Sequence, residues 1–320
     1  MSGYKAEGIV LRARDFGEAD RVVTILDRDQ GKLEAVAKGA RRAQSRLRGP
    51  CQPFTRGSFL LWHGRTLDGI SQAETLEPFT ALREDLVRLA AASYMAELTD
   101  DLVRERDPAP EIHDLLLESF RWLEAGPATP AEVSLILRAF ELRLLTFGGF
   151  APVLEACAVC GRPVEDWSGT GRRPAGTGRV GPGPVGAAVA KPEDPGAVTL
   201  VAFSPAAGGV LCPACRVDPA EEGGPRGGHG EEEAVGPDGS GVGLEGMNAD
   251  PGLGGPVVLL AAGTLAAMRH LARAETRHQV RILRLTPRAA REMARALRAH
   301  LEYHLDRPLK SLDFLESVLE

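Results

Sequence analysis

The first 80 residues of the chain alternate short apolar runs with turn-forming residues. Five runs rich in aliphatic and β-branched side chains follow one another at residues 8–13, 21–27, 32–37, 57–63 and 66–74. The stretch Asp-Gln-Gly at 29–31 is typical of a hairpin turn between the second and third runs. Five short strands predict a small β-barrel, and periodicity alone leaves an OB-type and an SH3-like barrel equally open.

After Pro78 the apolar positions recur every three or four residues, which is the period of amphipathic helices. The segments with this pattern are 79–103, 111–126, 129–149, 264–275 and 286–305. In the third segment, Thr129 is a predicted N-cap before Pro130, and Gly148 is a predicted stop. Because such helices lie on both sides of the central part of the chain, we expect them to pack as one bundle.

Two stretches between the helical segments have the composition of spacers. Residues 168–196 contain eight glycines, five prolines and almost no bulky apolar side chain. Residues 218–255 are rich in glycine and acidic residues. Neither stretch buries enough apolar surface to offset the entropy lost on ordering, so both are predicted to be disordered.

Four of the five cysteines form two Cys-x-x-Cys pairs, one on each side of the first spacer. The pairs are Cys157 with Cys160 and Cys212 with Cys215. Two facing Cys-x-x-Cys turns form a tetrahedral thiolate cage for Zn²⁺. Gly161 favours this interpretation, because the turn after Cys160 needs a residue that tolerates a positive φ.

Other interpretations of the cysteines are weaker but stay open. A thioredoxin-like redox motif places one pair at the start of a helix after a buried strand, and neither pair has that context. Residues 198–204 predict a strand that forms a hairpin with the chain near Val210 and Leu211. A structural zinc site is therefore favoured over independent redox pairs or unrelated buried cysteines. Cys51 is interpreted as a packed thiol.

These patterns predict an α+β multidomain protein. A small N-terminal β-barrel over 1–78, of the OB or the SH3-like type, is followed by an all-α helical domain with an inserted four-cysteine zinc element. The predicted boundaries are 79–153 and 256–320 for the two parts of the helical domain, 154–217 for the zinc element and 218–255 for the acidic linker.

The composition also predicts the cellular compartment of the protein. The chain has no apolar N-terminal run and no uninterrupted apolar stretch near the roughly 20 residues that a membrane helix needs. We therefore expect a cytoplasmic protein without membrane contact. Thiols stay reduced in that compartment, which again favours metal binding.

The net charge of −6 conceals an uneven distribution. Residues 35–67 contain seven basic side chains and no acidic one. Five of them lie in residues 38–49, called the basic loop below: Lys38, Arg41, Arg42, Arg46 and Arg48. Basic side chains on a flexible barrel loop neutralise phosphates and release counterions, so these five are predicted to bind DNA. An ordinary solvated loop usually mixes the two signs of charge.

Aromatic and further basic residues extend this picture. Phe54, Phe59 and Trp62 are candidates for base stacking, although core packing is the expected role of at least two of them. Residues 269–298 contain nine arginines and two glutamates, a surface suited to DNA, to an acidic peptide or simply to solvent. Four helical histidines are expected to have packing or surface roles: His113, His270, His300 and His304.

Four segments in order resemble the RecO family of bacterial recombination and repair proteins. They are "GIVLRARDFGEADRVVTILDRDQGKLEAVAKGARRAQSRLRG", "GGFAPVLEACAVCGRPV", "FSPAAGGVLCPACR" and "DRPLKSLDFLESVL". The resemblance covers the whole chain apart from the two glycine-rich stretches. All four cysteines are kept, and the long insertion between the pairs departs from the family pattern.

The resemblance implies an N-terminal OB-fold domain, a central helical domain and a four-cysteine zinc element. It also implies a non-enzymatic mediator that binds single- and double-stranded DNA and anneals complementary strands. It implies action with RecR, and in some settings RecF, to load RecA onto DNA coated by single-stranded-DNA-binding protein. It also implies that the helical domain docks the C-terminal tail of that coating protein.

Two other function classes remain as alternatives. A zinc-ribbon nuclease or ligase needs paired carboxylates or an activated lysine near the basic cleft, and residues 35–67 contain no acid. No Gly-Lys-Ser/Thr phosphate loop occurs in the chain. A ribbon protein of transcription or translation is compatible with the composition, but the four segments argue against it.

Overall fold

The computed structural model of the chain describes residues 3–125, 129–168, 200–216, 248–250, 255–305 and 309–319. The chain divides into two compact units. The first comprises Met1–Ala151, His270–Arg284 and His304–Glu320, and the second comprises Pro152–Arg269 and Leu285–Tyr303. Most of 168–196 and of 218–255, predicted to be disordered, lies outside the described residues.

The N-terminal part of the first unit is a closed five-stranded barrel. Its strands are β1 (Gly3–Phe16), β2 (Asp20–Asp27), β3 (Gly31–Ala37), β4 (Arg56–Trp62) and β5 (Asp68–Glu77). They close in the order β1-β2-β3-β5-β4, with β3 and β5 parallel and the other pairs antiparallel. This order resolves the two open interpretations in favour of the OB-like barrel.

The barrel core comes from side chains that alternate along the strands. β3 alternates buried and half-buried positions throughout, as a strand does when one face lines the core. The apolar core residues include Val10, Val23, Ile25, Leu33, Phe59 and Leu61. All five predicted strands are present, and the prediction of a small barrel is confirmed.

Eight helices occur in the described residues, and they match the predicted helical segments with three differences. They are α1 (Ala81–Glu84), α2 (Leu86–Leu102), α3 (Pro110–Glu124), α4 (Pro130–Phe147), α5 (Ala262–Ala272), α6 (Arg277–Arg281), α7 (Pro287–His304) and α8 (Lys310–Leu319). The helix predicted over 79–103 is broken at Asp85, whose backbone is extended and whose carboxylate accepts a bond from Arg88 N at 2.9 Å. Asp85 therefore caps the N-terminus of α2. The apolar periodicity does not reveal this break between α1 and α2. Helices α6 and α8 had no counterpart among the predicted segments.

The N-cap predicted at Thr129 is confirmed. Its hydroxyl accepts a hydrogen bond from Glu132 N at 3.2 Å, and Pro130 occupies the first turn of α4. Helices α2, α4, α6 and α8 pack within the first unit. Most of α5 and α7 belongs to the second unit, so the expectation of one bundle holds only for part of the helices.

The second unit contains a four-stranded antiparallel sheet. Its strands are β6 (Leu200–Ser204), β7 (Gly209–Leu211), β8 (Asn248–Asp250) and β9 (Gly255–Ala261), in the order β7-β6-β9-β8. The predicted hairpin of β6 with β7 is confirmed. Strands β8 and β9 were not predicted: β8 falls within the range interpreted as a linker, and β9 opens the part interpreted as all-α.

The reason for missing β9 is its two-sided burial. Val257 and Val258 are neighbours in sequence, and both are buried, as is Leu260. Such a strand lacks the alternation that marks a half-buried strand, and a short apolar run next to a helix resembles the helix itself. Within the described ranges, none of the helices combines the length and the hydrophobicity that crossing a bilayer requires.

Candidate metal centre and nucleic-acid interface

The first cysteine pair lies in a backbone turn after Ala156. Cys157 N donates to Arg162 O at 2.8 Å, and Gly161 N donates back to Cys157 O at 2.9 Å. Gly161 has a φ of 71°, the left-handed conformation that favours glycine. The positive φ predicted for this turn is therefore confirmed.

The second pair lies directly after β7. Cys215 N and Arg216 N both donate to Cys212 O at 3.0 Å, which closes a second tight turn. Each cysteine pair is thus held by backbone bonds of its own turn, as two Cys-x-x-Cys metal knuckles require.

Backbone bonds also bring the two turns together. Val210 N donates to Val153 O at 2.9 Å, and Ala158 N donates to Val210 O at 2.8 Å. A side chain at Gly209 would collide with the backbone of Val153, so the close approach of the two segments needs a glycine there. The chain before the first pair and the strand before the second are therefore paired.

The four sulfurs form one cluster. The Sγ atoms of Cys157, Cys160, Cys212 and Cys215 all lie within 4.8 Å of one another, and those of Cys160 and Cys212 are 3.6 Å apart. Four thiolates around Zn²⁺ at about 2.3 Å lie about 3.8 Å from one another. The cluster fits a tetrahedral metal site, and the four cysteines could hold one metal ion together.

The thiols of the cluster differ in acidity. Burial opposes ionisation of Cys157, but the amides of Cys212, Cys160 and Val159 donate toward its sulfur and lower its pKa to about 6. Burial, followed by hydrogen bonding with neighbouring thiols, raises the pKa of Cys212 and Cys215. Of these three thiols, Cys157 is therefore the one that ionises first, and a thiolate is the form that binds metal.

Cys51 lies apart from this cluster. It is fully buried in the barrel core, and burial raises its pKa to about 12. The interpretation of Cys51 as a packed thiol is confirmed.

The basic loop connects β3 to β4 and is a series of tight turns. Consecutive backbone bonds of 3.0 to 3.2 Å join Arg42 to Gly39, Ser45 to Arg42, Arg48 to Ser45 and Cys51 to Leu47. Ala40 is fully buried and Leu47 packs against the barrel core. The loop is therefore an ordered segment anchored by apolar side chains, which corrects the expectation of a flexible loop.

The five predicted DNA-binding side chains are all exposed, but their surroundings differ. Arg41 N donates to Ala19 O at 2.9 Å, and its guanidinium donates to Gly17 O and Glu18 O, each at 3.1 Å. The same guanidinium lies 3.3 Å from a carboxylate oxygen of Asp15. Arg41 therefore ties the basic loop to the turn between β1 and β2, and its charge is partly neutralised.

Lys38 is also engaged. Its Nζ lies 5.9 Å from the centroid of the Trp62 ring, a cation–π distance. A side chain at Gly69 would collide with the Trp62 ring, so that ring lies against the Gly69 backbone. Lys38 and Gly69 both contact the Trp62 ring.

The other three basic side chains, those of Arg42, Arg46 and Arg48, point into solvent. Within the part of the chain that the structure describes, none of the three has an ion-pair partner. They are the side chains of the predicted set that remain available to an anion. Of the aromatic candidates, Phe54 and Phe59 are buried and Trp62 is half-buried, which confirms core packing for two of them.

Acidic residues beside the loop were missed because they come from another turn. Asp20 accepts a hydrogen bond from Gly39 N at 2.7 Å, and Asp15 also pairs with Arg21 at 3.2 Å. The predicted hairpin contained the information needed to find these acidic residues. Strands 21–27 and 32–37 joined at 29–31 bring the start of one beside the end of the other, as the observed pairing of Arg21 with Ala37 shows.

The second basic region is largely built into the fold. At least five of its nine arginines form ion pairs with described residues: Arg269 with Glu155, Arg277 and Arg281 with Glu132, Arg288 with Glu292, and Arg298 with Glu302. Glu292 is buried and also accepts bonds from Ala261 N at 2.9 Å and from the Thr264 hydroxyl at 2.6 Å. These contacts favour a structural role for residues 269–298 over a second anion surface.

The helical histidines also have packing partners. His300 is buried with its ring 5.6 Å from the Phe203 ring, and His304 lies 4.9 Å from the Phe150 ring. His113 Nδ1 is 3.0 Å from an oxygen of Asp114, and His270 Nε2 is 2.8 Å from Gln279 O. Their predicted packing and surface roles are confirmed.

Comparison with known proteins matches both parts of the chain to one family. The model for "Recombination protein O N terminal" matches residues 1–79. The model for "Recombination protein O C terminal" matches residues 83–191 and 252–313.

Individual relatives align over nearly the full length. The chain is 34% identical over 318 residues to the DNA repair protein RecO of Symbiobacterium thermophilum, which covers 99% of this chain and 98% of that protein. It is 36% identical over 326 residues to the DNA repair protein RecO of Anaeromyxobacter sp. strain K, with 99% and 98% covered. The corresponding protein of Moorella thermoacetica is 33% identical over 315 residues, with 98% and 91% covered.

Proposed function

Because the chain belongs to the RecO family of DNA repair proteins, we propose that it binds single- and double-stranded DNA through the basic loop and anneals complementary strands without catalysing a reaction. Family membership gives the chain its role in DNA repair and recombination. The finer activity rests on the barrel and on the side chains that the barrel presents.

The observation that carries the proposal is the group Arg42, Arg46 and Arg48. The turns of the basic loop hold the backbone of these three residues in place, and their guanidinium groups are exposed. Arginines held in this way bind phosphates through charge and hydrogen bonds, and they release counterions when they do so. Such contacts carry no sequence information, which suits a protein that must accept any DNA sequence.

Annealing follows from the same chemistry. Two complementary strands repel each other through their phosphates, and a protein that neutralises phosphates on both lowers the barrier to their encounter. Base pairing then supplies the free energy of duplex formation. Neither a nucleotide cofactor nor a catalytic residue is needed for this step.

The proposed partners follow from the family. We infer that the chain acts with RecR, and in some settings with RecF, to load RecA onto DNA coated by single-stranded-DNA-binding protein. The helical part of the chain is the proposed docking site for the C-terminal tail of that coating protein. All of these partners are found with DNA, so a cytoplasmic, nucleoid-associated location is part of the proposal.

The metal in the proposal is one structural Zn²⁺. Cys157, Cys160, Cys212 and Cys215 would all be ligands, which leaves no open position for a substrate or a water molecule. When bound, the ion would link the turn after Ala156 to the turn after β7.

The alternative function is a zinc-ribbon nuclease or ligase. A nuclease would need carboxylates free to hold Mg²⁺ beside the basic loop. Two carboxylates that lie there, those of Asp15 and Asp20, are engaged by Arg21, Arg41 and the backbone of Gly39. This observation favours binding and annealing over cleavage.

The test compares two double variants of the full chain. Arg42→Ala/Arg46→Ala removes two exposed charges of the basic loop, and Arg284→Ala/Arg291→Ala removes two exposed charges of the second basic region. Affinity for a random single-stranded oligonucleotide is measured by fluorescence anisotropy across a salt series. Annealing of complementary oligonucleotides is measured with and without ATP and Mg²⁺.

We expect the basic-loop variant to bind all sequences more weakly. The slope of log affinity against log salt should flatten by up to about 1.4, since each phosphate contact on a single strand contributes about 0.7. Its annealing rate should fall in parallel, whereas the control variant should stay near wild type in both assays. A basic-loop variant with unchanged affinity and slope, or annealing that requires ATP, would contradict the proposal.

A further inference from the structure

Phe16 is a large apolar side chain left in solvent at the rim of the barrel. It is the last residue of β1, and 47% of its surface is exposed. The next residue, Gly17, has a φ of 60° and starts the tight turn that leads to β2. The position therefore presents an aromatic ring beside a turn whose backbone is held in one conformation.

The basic loop holds this turn in place. Arg41 binds the carbonyl oxygens of Gly17, Glu18 and Ala19 on one side of Phe16 and the carboxylate of Asp15 on the other. These bonds join the segment that carries Phe16 to the segment that carries the exposed arginines. Arg42, the first of those arginines, is the immediate neighbour of Arg41 in the chain.

The other aromatic side chains of this region are already engaged. Phe54 and Phe59 are buried, at 4% and 1% exposure. Trp62 lies against the backbone of Gly69 and has the Lys38 ammonium over its ring. Among these aromatic residues, Phe16 has the ring most open to a ligand.

Proteins that bind single-stranded DNA combine a basic track for the backbone with aromatic side chains on which bases stack. We propose that Phe16 stacks on an unpaired base of single-stranded DNA whose phosphates bind Arg42, Arg46 and Arg48. This inference rests on the proposed function, and it adds a contact that recognises bases as unpaired rather than as a particular sequence. Bases in a duplex are already stacked on one another, so Phe16 should distinguish single strands from duplexes.

The test is the Phe16→Ala variant of the full chain, with Phe314→Ala as the matched control. Phe314 is a phenylalanine of α8 with 39% of its surface exposed. The probes are oligo(dT) of about 30 nucleotides, a duplex of the same length, and an abasic strand with the same number of phosphates. Far-ultraviolet circular dichroism and thermal unfolding check that each variant is folded.

We expect Phe16→Ala to bind oligo(dT) on the order of tenfold more weakly, as aromatic residues that stack on bases do when truncated. Binding to the duplex and to the abasic strand should change by less than about twofold, because neither offers an unstacked base. The salt slope should stay that of wild type, since phenylalanine neutralises no phosphate. Phe16→Trp should restore the affinity and Phe16→Leu should not, because leucine has no aromatic face.

Three outcomes would overturn the inference. One is wild-type affinity of Phe16→Ala for oligo(dT). Another is an equal loss on oligo(dT) and on the abasic strand, which would mean that Phe16 supports the loop rather than a base. The third is rescue by leucine, which would indicate that the side chain acts through apolar packing rather than through an aromatic face. In each case the basic-loop variant still tests phosphate binding separately, so failure of this inference is distinguishable from failure of the proposed function.

Discussion

Asp68 is a buried carboxylate that joins the barrel to the segment after α2. Its oxygens accept hydrogen bonds from the Tyr4 hydroxyl, from Arg106 Nη2 at 2.6 Å and from Gly64 N at 3.3 Å, and His63 Nδ1 is 3.5 Å away. Burial opposes ionisation of Asp68, but the bonds from Tyr4, Arg106 and Gly64 outweigh it and lower the pKa of Asp68. Burial and the bond to Asp68 raise the pKa of Tyr4 to about 12.

These shifts predict how stability depends on pH. The carboxylate bonds stabilise the fold above the ordinary pKa of an aspartate, about 3.9, and this contribution is lost as pH falls through the lower pKa of folded Asp68. The contribution of neutral Tyr4 is complete below its ordinary pKa of about 10 and is lost as pH rises toward 12. Asp68→Asn should therefore lower the free energy of unfolding by about 2 kcal/mol near neutral pH and by less in strong acid.

Urea unfolding of wild type and variant at several pH values measures this difference. Asp29→Asn is the control, since the Asp29 side chain is 84% exposed and should change stability by less than about 0.5 kcal/mol. A stability difference between wild type and Asp68→Asn that does not shrink in acid would mean that Asp68 is not ionised in the fold.

Arg41 and Arg42 are neighbours with the same chemistry, but their contacts in the structure lead us to expect different roles for them. Arg41→Ala removes bonds to two backbone carbonyls and an ion pair with Asp15, so it should lower the free energy of unfolding by about 1–2 kcal/mol. Arg42→Ala should leave stability within about 0.5 kcal/mol of wild type and reduce DNA affinity more. Thermal unfolding and anisotropy on the two single variants measure both effects, and the reverse order would mean that Arg41 is the phosphate ligand.

At the scale of elements, the metal cluster depends on two turns that each supply two sulfurs. Cys212→Ser should abolish stoichiometric zinc binding, because three remaining thiolates leave the tetrahedral site open. Cys51→Ser is the matched control, since Cys51 is buried in the barrel core with its pKa raised to about 12. Metal analysis of the purified proteins should give about one zinc per chain for wild type and for Cys51→Ser. Wild-type protein without zinc, or Cys212→Ser with full zinc, would show that the cluster is not a zinc site.

The predictions of strands, helices and turns were correct where a single feature of the local sequence dominated. The barrel strands and helices α3, α4 and α7 follow clear periodicities, and the cysteine turns follow from residue spacing. The predictions failed at Asp85, where a cap competes with an unbroken apolar stripe, and at β9, whose burial on both faces removes the alternation. The contacts of Arg41 depend on the register of the strands. The pattern of apolar residues does not determine that register residue by residue.

At the scale of the whole molecule, the long stretch 169–196 separates the two cysteine pairs. It raises the question of which contacts hold the four cysteines together. Bonds between described residues join the two turns, among them those of Val210 with Val153, of Ala158 with Val210, and of Cys212 N with Cys157 Sγ at 3.4 Å. Trp167, just before the stretch, packs against an apolar cluster that includes Cys157, Leu211 and Cys212. Described residues on either side of 169–196 therefore already join the two cysteine turns.

Replacing residues 169–196 by a short Gly-Ser linker should consequently leave zinc content at wild type. The stretch has few bulky apolar side chains, so we expect its removal to expose or remove little buried apolar surface. Shortening a loop also lowers the entropy cost of closing it, but only logarithmically, so the melting temperature should change by no more than a few degrees in either direction. Metal analysis and calorimetry of the deletion variant measure the two quantities. A large loss of stability with zinc retained would mean that the stretch packs against the rest of the chain, and loss of zinc would mean that it positions a cysteine turn.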